Sequence, residues 1–360
     1  MAQRLYDPMT RRPNDSTTIR LYTESDRDNW NQYVMKSNFS SCYHLTGWKK
    51  VIEQSFGHKT YYLLSEDQNR KINGILPLIH LKSILFGNFA VSLPYFNYGG
   101  VCAENNEIRT QLLHEATAIA SAQKMDHIEL RHISNSVANL PVKTSKVSMQ
   151  LTLPLTKEKL WASFPSKLRS QVQRPIKEQM YARVGRQDEL DSFYDIFSQN
   201  MRDLGTPVYS KSFFRNILEE FPENAWICTV YTKEESPVAS GFLVGFKETL
   251  EIPWASSSRA YNRLSPNMLL YWSVLELACD RQYKVFDFGR STAGEGTYKF
   301  KEQWGAKPVQ LYWHYWMKNG GPLPEINPHN SKYEMAIKVW QRLPIGLTRL
   351  IGPHVVKNLP

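Results

Sequence analysis

The sequence predicts an α/β protein built from two similar domains set one after the other. Three observations carry that expectation. The chain has 360 residues, beyond the ~250–300 at which single hydrophobic cores stop growing. One order of elements (strand, two helices, three strands, long helix, strand) is legible twice. Hydrophobic residues make up 42% and aromatics 12% of the chain, enough to fill two cores.

In the first copy, residues 18–22 alternate like a strand, and 25–37 and 46–55 carry helical periodicity. Strands are expected over 59–65, 73–80 and 89–93, the second apolar throughout. An amphipathic helix follows over 107–123 and a short strand over 127–131. The second copy runs the same course: a strand over 181–185, helices over 189–204 and 211–220, then strands over 225–231, 238–245 and 249–253. A helix over 267–280 and a strand over 284–288 complete it. Units this long exceed a solenoid repeat, so the pattern reads as a domain duplication with a cleft between the copies.

The remaining segments frame these units. Residues 1–18 read as a flexible polar arm without the apolar core of a signal peptide. Domains are expected over 19–150 and 151–316, with a Pro/Gly-rich linker and a basic appendage over 317–360. At the junction, 148–155 alternates as a strand. Lys167, Arg169, Arg174 and Lys177 then recur along 160–180, a helix-like run interrupted by Pro175. These cations read either as a solvated helix face or as a cationic wall of the cleft. The tail mixes basic and apolar residues, a combination that suits either docking on the inner face of the cytoplasmic membrane or packing on the protein itself.

Composition excludes several classes. No run of about 18 apolar residues offers a membrane span. Cys42, Cys102, Cys228 and Cys279 form no CxxC pair, and the nine histidines no HExxH spacing, so neither a metal nor a disulfide scaffold is expected. The net charge of +10 favours a polyanionic partner such as nucleic acid, acidic lipid or a diphosphate-linked substrate. Together these point to the cytoplasm.

Residues 285–305, VFDFGRSTAGEGTYKFKEQWG, are the richest stretch: a buried-strand pattern, a glycine-rich loop, then a helical segment with Tyr298, Lys299, Lys301 and Trp304. Glycine lets backbone N–H groups approach a ligand, and nearby cations can hold an anion or a developing negative charge. Gly289 and Gly294 have phosphate-loop spacing, but Glu295 and Gly296 stand where Lys and Ser/Thr are required, which excludes a nucleoside triphosphatase.

The segments FGHKTYYLL (56–64), GILPLIHLKSILFGN (74–88), LPYFNYGG (93–100), NMRDLGTPVYSKSFF (200–214), EIPWASSSRAYNRLSPNMLLYW (251–272) and FDFGRSTAGEGTYKFKEQWGA (286–306) carry a resemblance. They are similar to the FemAB-like group associated with exosortase/PEP-CTERM systems, whose tandem GNAT-like domains resemble the Fem-type aminoacyltransferases of peptidoglycan bridges. The resemblance implies two tandem GNAT-like acyltransferase domains. It also implies amide formation on an amine of a cell-envelope, exopolysaccharide or lipid-linked glycan precursor. A GNAT enzyme grips its acyl-CoA with a glycine-rich helix start, whereas the corresponding loop here, SSSRAYNRLSPN (256–267), has no glycine. Aminoacyl-tRNA is therefore the expected donor, with acyl-CoA acting on an amino sugar as the alternative and a non-catalytic glycan-binding scaffold as a second. No bound cofactor is expected.

Lys301 is expected to stabilise the oxyanion, since Fem-type relatives place a lysine in a similar segment; Lys299 competes with it. Asp287, at the end of the last core strand, either accepts the amine proton or merely pairs with Arg290. Trp254, Asn262, Arg263, Arg290, Tyr298, Asn97, Tyr98 and Arg174 are expected to line the cleft.

Overall fold

The structure is a computed structural model that describes residues 17–84, 86–135, 137, 139–324 and 331–359, without the side chains of 331–333. The expected N-terminal arm up to residue 16, and linker residues 325–330, lie outside these.

Strand β1 (Thr18–Leu21) leads into helices α1 (Arg27–Lys36) and α2 (Gly47–Phe56). Strands β2 (Lys59–Glu66), β3 (Ile72–Ser83) and β4 (Gly87–Val91) form an antiparallel meander, with short β5 (Cys102–Ala103) beside β3. Asn105 starts α3 (Asn106–Ala122) by accepting the Ile108 N–H at 2.9 Å, one of the orphan donors of a helix start. β6 (His127–His132) then returns parallel to β4, and short β7 (Val142–Lys143) follows.

The second unit opens with β8 (Val147–Thr152), α4 (Lys157–Ser163) and α5 (Ser166–Lys177), followed by β9 (Tyr181–Gly185), α6 (Leu190–Leu204) and α7 (Lys211–Glu220). β10 (Ala225–Tyr231), β11 (Pro237–Phe246) and β12 (Thr249–Ser257) form its meander. After α8 (Pro266–Asp280), β13 (Val285–Ser291) lies parallel to β12. Then come α9 (Gly296–Glu302), β14 (Lys307–Gln310), β15 (Tyr312–Met317), α10 (Ser331–Trp340) and α11 (Ile345–Val356).

The two sheets run β1-β2-β3-β4-β6-β15-β7 and β9-β10-β11-β12-β13-β8-β14. Each is an antiparallel meander, one parallel junction (β4 with β6, β12 with β13), and a flanking antiparallel strand. That flanking strand is exchanged: β8, following the first unit, joins the second sheet, and β15, following the second, returns to the first. The expected division at 150/151 therefore falls inside a strand, and the C-terminal strand belongs to the first sheet. Alternation could not reveal this, because a strand's own sequence does not name its neighbour. The expected single run over 160–180 is two helices, separated at Phe164–Pro165, and Pro175 sits in the last turn of the second.

Between the units lies one continuous apolar core in which Trp30, Trp48 and Phe96 of the first meet Phe213, Phe214 and Trp254 of the second. Separate cores fill the outer face of each sheet. The inner face of the second sheet, bearing Glu251, Pro253, Asp287 and Gly289, thus looks onto the first unit.

Candidate active site

Each parallel junction splays once pairing stops, but the two gaps differ. In the first unit, pairing of β4 with β6 ends at Val91 and Glu129. The chain then fills its own gap: Ser92 N–H bonds Glu129 O (2.9 Å) and Gly100 N–H bonds Arg131 O (2.8 Å). The Arg131 side chain clamps that loop through the Phe96 carbonyl and ion-pairs with Glu129 at 2.7 Å. A Cβ on Gly100 would stand 2.3 Å from the His132 ring, so only glycine fits this closure.

In the second unit, β12 and β13 pair only from Thr249/Val285 to Glu251/Asp287. An irregularity in register against β11 absorbs Ile252 and Pro253, as expected where a proline interrupts a ladder. Beyond it, Gly289 adopts φ +75 and the strands part. Lys301, from α9, reaches into the gap and donates to the carbonyls of Gly289 and Arg290, both at 2.9 Å. It is 8% exposed, contrary to the exposed position its charge suggests. Burial lowers its pKa to about 8; Arg290 pushes the same way, while Asp287 and Glu251 oppose the shift.

A cavity of about 290 Å³ lies at this gap. Lys301, Arg290, Gly289, Trp254 and Pro253 wall it on one side, and Tyr95, Phe96 and Asn97 close it from the first unit. Trp254 is both wall and core, packed edge-on among Phe96, Phe213 and Phe214 at 5.1–5.6 Å. Arg290 does not pair with Asp287. Its guanidinium lies over the Trp313 ring at 5.0 Å, and Arg131 lies over that ring at 4.4 Å. Tyr95 holds φ +74, a strained conformation for an aromatic residue, with its hydroxyl bonded to Lys357 O at 2.7 Å.

Two carboxyls lie where β12 and β13 last pair. Glu251 lines the cavity and is 4% exposed. Tyr43 donates to its Oε2 at 2.7 Å from across the domain interface, while Oε1 makes no hydrogen bond of good geometry and has the Asn97 amide near the carboxyl. Burial, reinforced by the charge of Asp287, raises the Glu251 pKa well above the carboxylate range. Asp287 does not line this cavity. Its carboxylate is consumed by Tyr98 and Ser148 (both 2.6 Å), the Gly289 N–H (2.7 Å) and Gln150 (3.1 Å). It fixes the bend at Gly289 and hence the carbonyls that Lys301 grips. Tyr98 is its partner and shares its place, on a second cavity of about 310 Å³. Glu251 is common to both cavities.

The other expected residues lie elsewhere. Asn262 and Arg263 are exposed on a short turn (Arg259–Leu264). Lys299 and Arg174 are exposed on their helices, and Tyr298 packs against the second unit's outer core. That turn occupies the loop before α8, where Pro266 at the first helical position lacks an N–H and Met268 N–H is taken by Ser265 O at 2.9 Å. Glu251 and Tyr43 were not anticipated. A glutamate in the apolar run LEIPW was the available signal, because a carboxyl within a central strand is costly unless used.

The chain is similar to known proteins in sequence and in fold. The acetyltransferase (GNAT) domain family matches residues 166–302. No curated protein matches the sequence. Among solved structures, FemX is similar at 14% identity, covering 82% of this chain and 96% of its own, with a TM-score of 0.63. The C-terminal domain of a protein from Agrobacterium fabrum, described as a lysylphosphatidylglycerol synthetase, is similar at 11% identity over 88% of this chain and 95% of its own, TM-score 0.55. A tandem GNAT protein from the clavulanic acid biosynthesis pathway follows at 10% identity over 86% and 100%, TM-score 0.53. Two GNAT-fold units with one open junction define the class: the protein is a GNAT-type acyltransferase.

Proposed function

We propose that the protein transfers an aminoacyl group from aminoacyl-tRNA to an amine of a cell-envelope precursor, forming an amide in the cavity at the β12–β13 gap. The observation that carries this reading is that Lys301 and Glu251 both line that cavity. The acceptor amine attacks the ester carbonyl; the C–N bond forms, and the C–O bond to the tRNA terminal ribose breaks. Glu251 takes the amine proton on Oε1, the oxygen that Tyr43 does not hold, and returns it to the leaving ribose oxygen. Its raised pKa brings it towards the range suited to that exchange. Lys301, held by two carbonyls, presents its remaining N–H to the oxyanion. Asp287 is a positioning residue. Arg290, Asn97 and Trp254 orient the substrates.

The tRNA donor is favoured by the obstructed start of α8, which offers little to a coenzyme diphosphate, and by the net charge of +10. The acyl-CoA reading, with an amino sugar of an exopolysaccharide as acceptor, is favoured by the match to an acetyltransferase domain. The resemblance to FemAB-like proteins of exosortase systems supports an envelope glycan as acceptor, which we place on the cytoplasmic side of the inner membrane. Purified protein incubated with charged tRNA, or with an acyl-CoA pool, and with envelope precursors separates these by product mass. An amino-acid increment dependent on tRNA is expected; an acyl increment dependent on the coenzyme would replace the first reading with the second.

A further inference from the structure

The tail of the chain packs on the protein through one face and leaves another bare. Ile337 of α10 sits against Gly205 at the end of α6, where a glycine Cβ would meet it at 2.5 Å. Thr348, Gly352 and Val356 of α11 are buried, and Gly352 lies against the Val208 backbone. Arg349 reaches Asp195 at 2.7 Å and Arg202 reaches the Leu343 carbonyl at 3.2 Å.

The outer face is apolar as well. Leu347, Leu350 and Ile351 recur at the helical spacing that makes one stripe, and they are 39%, 68% and 38% exposed. On α10, Met335 and Val339, one turn apart, are 70% and 56% exposed. Lys338 and Arg342 are exposed beside them, and His354 continues the stripe of α11. From residue 335 to 360 the chain has no Asp or Glu, against Lys338, Arg342, Arg349 and Lys357. A solvated helix face would mix both signs of charge. Apolar residues flanked mainly by cations, with Glu334 in the first turn of α10 as the one acid on the two helices, match a bilayer surface of anionic headgroups, with the apolar chains reaching just below them. Among the described residues no helix is long and apolar enough to cross a membrane, so such contact is interfacial.

The position relative to the reaction site is informative. The Lys357 carbonyl accepts hydrogen bonds from Tyr95 (2.7 Å) and His58 (2.7 Å), and Tyr95 walls the cavity. Arg202, which holds Leu343, follows Met201, another wall residue. We infer that α10 and α11 dock on an anionic lipid bilayer, bringing the cavity at the β12–β13 gap to the headgroup layer, where an acceptor carried by a membrane lipid presents its amine. The docking stands whichever acyl donor is used; only the nature of the acceptor rests on the proposed reaction.

Cosedimentation of the full chain with vesicles tests it without turnover. Binding is expected to vesicles of equal parts phosphatidylglycerol and phosphatidylcholine, and to weaken with salt and on phosphatidylcholine alone. Lys338→Gln and Arg342→Gln should each reduce affinity about fivefold. The triple change Leu347→Ser, Leu350→Ser and Ile351→Ser should abolish binding with an unchanged circular dichroism spectrum, since all three side chains are exposed. Activity on a soluble amine should survive in these variants, which keeps failure of docking distinct from failure of the chemistry. Binding that is absent, or indifferent to both sets of substitutions, would overturn the inference. So would a concentration-dependent dimer abolished by the triple change, which would make a second copy the occupant.

Discussion

Replacing Lys301 by methionine isolates the role of the ammonium. Methionine keeps an unbranched flexible stem and fills most of the same space. Two stability effects oppose each other. The fall of the Lys301 pKa from 10.5 to about 8 means that keeping the ammonium charged in this site costs about 3 kcal/mol relative to water, a cost the variant escapes. Against that, the carbonyls of Gly289 and Arg290 lose their donor, at about 1–3 kcal/mol for each that stays dry. The two nearly cancel, so the melting temperature should move by only a few degrees. The rate has no such compensation: loss of one oxyanion donor lowers kcat and kcat/KM together by roughly 10²–10³.

The pH profile supplies a second signature. Wild-type kcat/KM should fall above pH about 8 as Lys301 loses its proton, and Lys301→Met should lack that limb. Stability moves the other way. The folded pKa lies below the unfolded one, so between about 8 and 10.5 the unfolded chain binds more protons and the contribution of Lys301 to stability rises with pH. An alkaline fall in rate therefore cannot be ascribed to unfolding at this residue. Steady-state rates over pH, set beside thermal melts, check both. An alkaline limb that survives in Lys301→Met, or a variant that merely raises KM for the donor, would refute the oxyanion role.

Glu251→Gln preserves shape and the bond from Tyr43, so melting should be unchanged while kcat falls by about 10²–10⁴; unaltered turnover would remove Glu251 from the chemistry. Asp287→Asn places an amide among four donors and should lower stability by several kcal/mol, about the cost of breaking a buried charged network. It also removes the charge that holds the Lys301 pKa up, so the alkaline limb of the residual activity should shift to lower pH, a displacement that simple loosening of the fold would not produce. Burial lowers the pKa of His44 to about 4 and of His132 to about 3, against the ordinary 6.5. Both groups are held neutral, so stability is complete above about 6.5 and should fall on acidification by about 1.4 kcal/mol per pH unit for each histidine, levelling below the folded values. Melting temperature against pH measures this, and His44→Gln should flatten part of the slope.

Much of the fold was legible because its elements are long and periodic. The apolar run 73–80 and the buried strands 225–231 and 238–245 could be placed from their own residues. The exchange of β8 and β15 could not, since Ser148–Leu151 and His314–Trp316 carry no mark of which sheet receives them. For the site, the glycine-rich loop and Lys301 stood out, and so did Trp254, Arg290 and Asn97, because loops that follow core strands gather at the open end of a sheet. Asn262, Arg263 and Lys299 had the same sequence credentials, yet their side chains are exposed away from the cavity. Glu251 was missed for the opposite reason. A carboxyl within a strand reads as an edge or a surface position until the facing domain is known to bury it.

Duplication gives the molecule two parallel junctions, and what separates them is where each sends its cation. In the first unit Arg131 turns inward, ties down the Phe96 carbonyl and neutralises Glu129, so its charge is spent on closing the gap. In the second, Lys301 comes from outside the sheet and takes the carbonyls that splaying has orphaned. It stops short of Glu251, whose Oε1 makes no hydrogen bond of good geometry. One gap is thus sealed by a fully paired charge network and the other is held open by a partly paired one. The sealed unit still supplies the site with Tyr95 and Asn97, on the loop that closes its own junction, and with Tyr43 from the turn between its first two helices. A single open gap in a twofold fold follows from this division, and under the proposed reaction the first unit is the wall against which the second works.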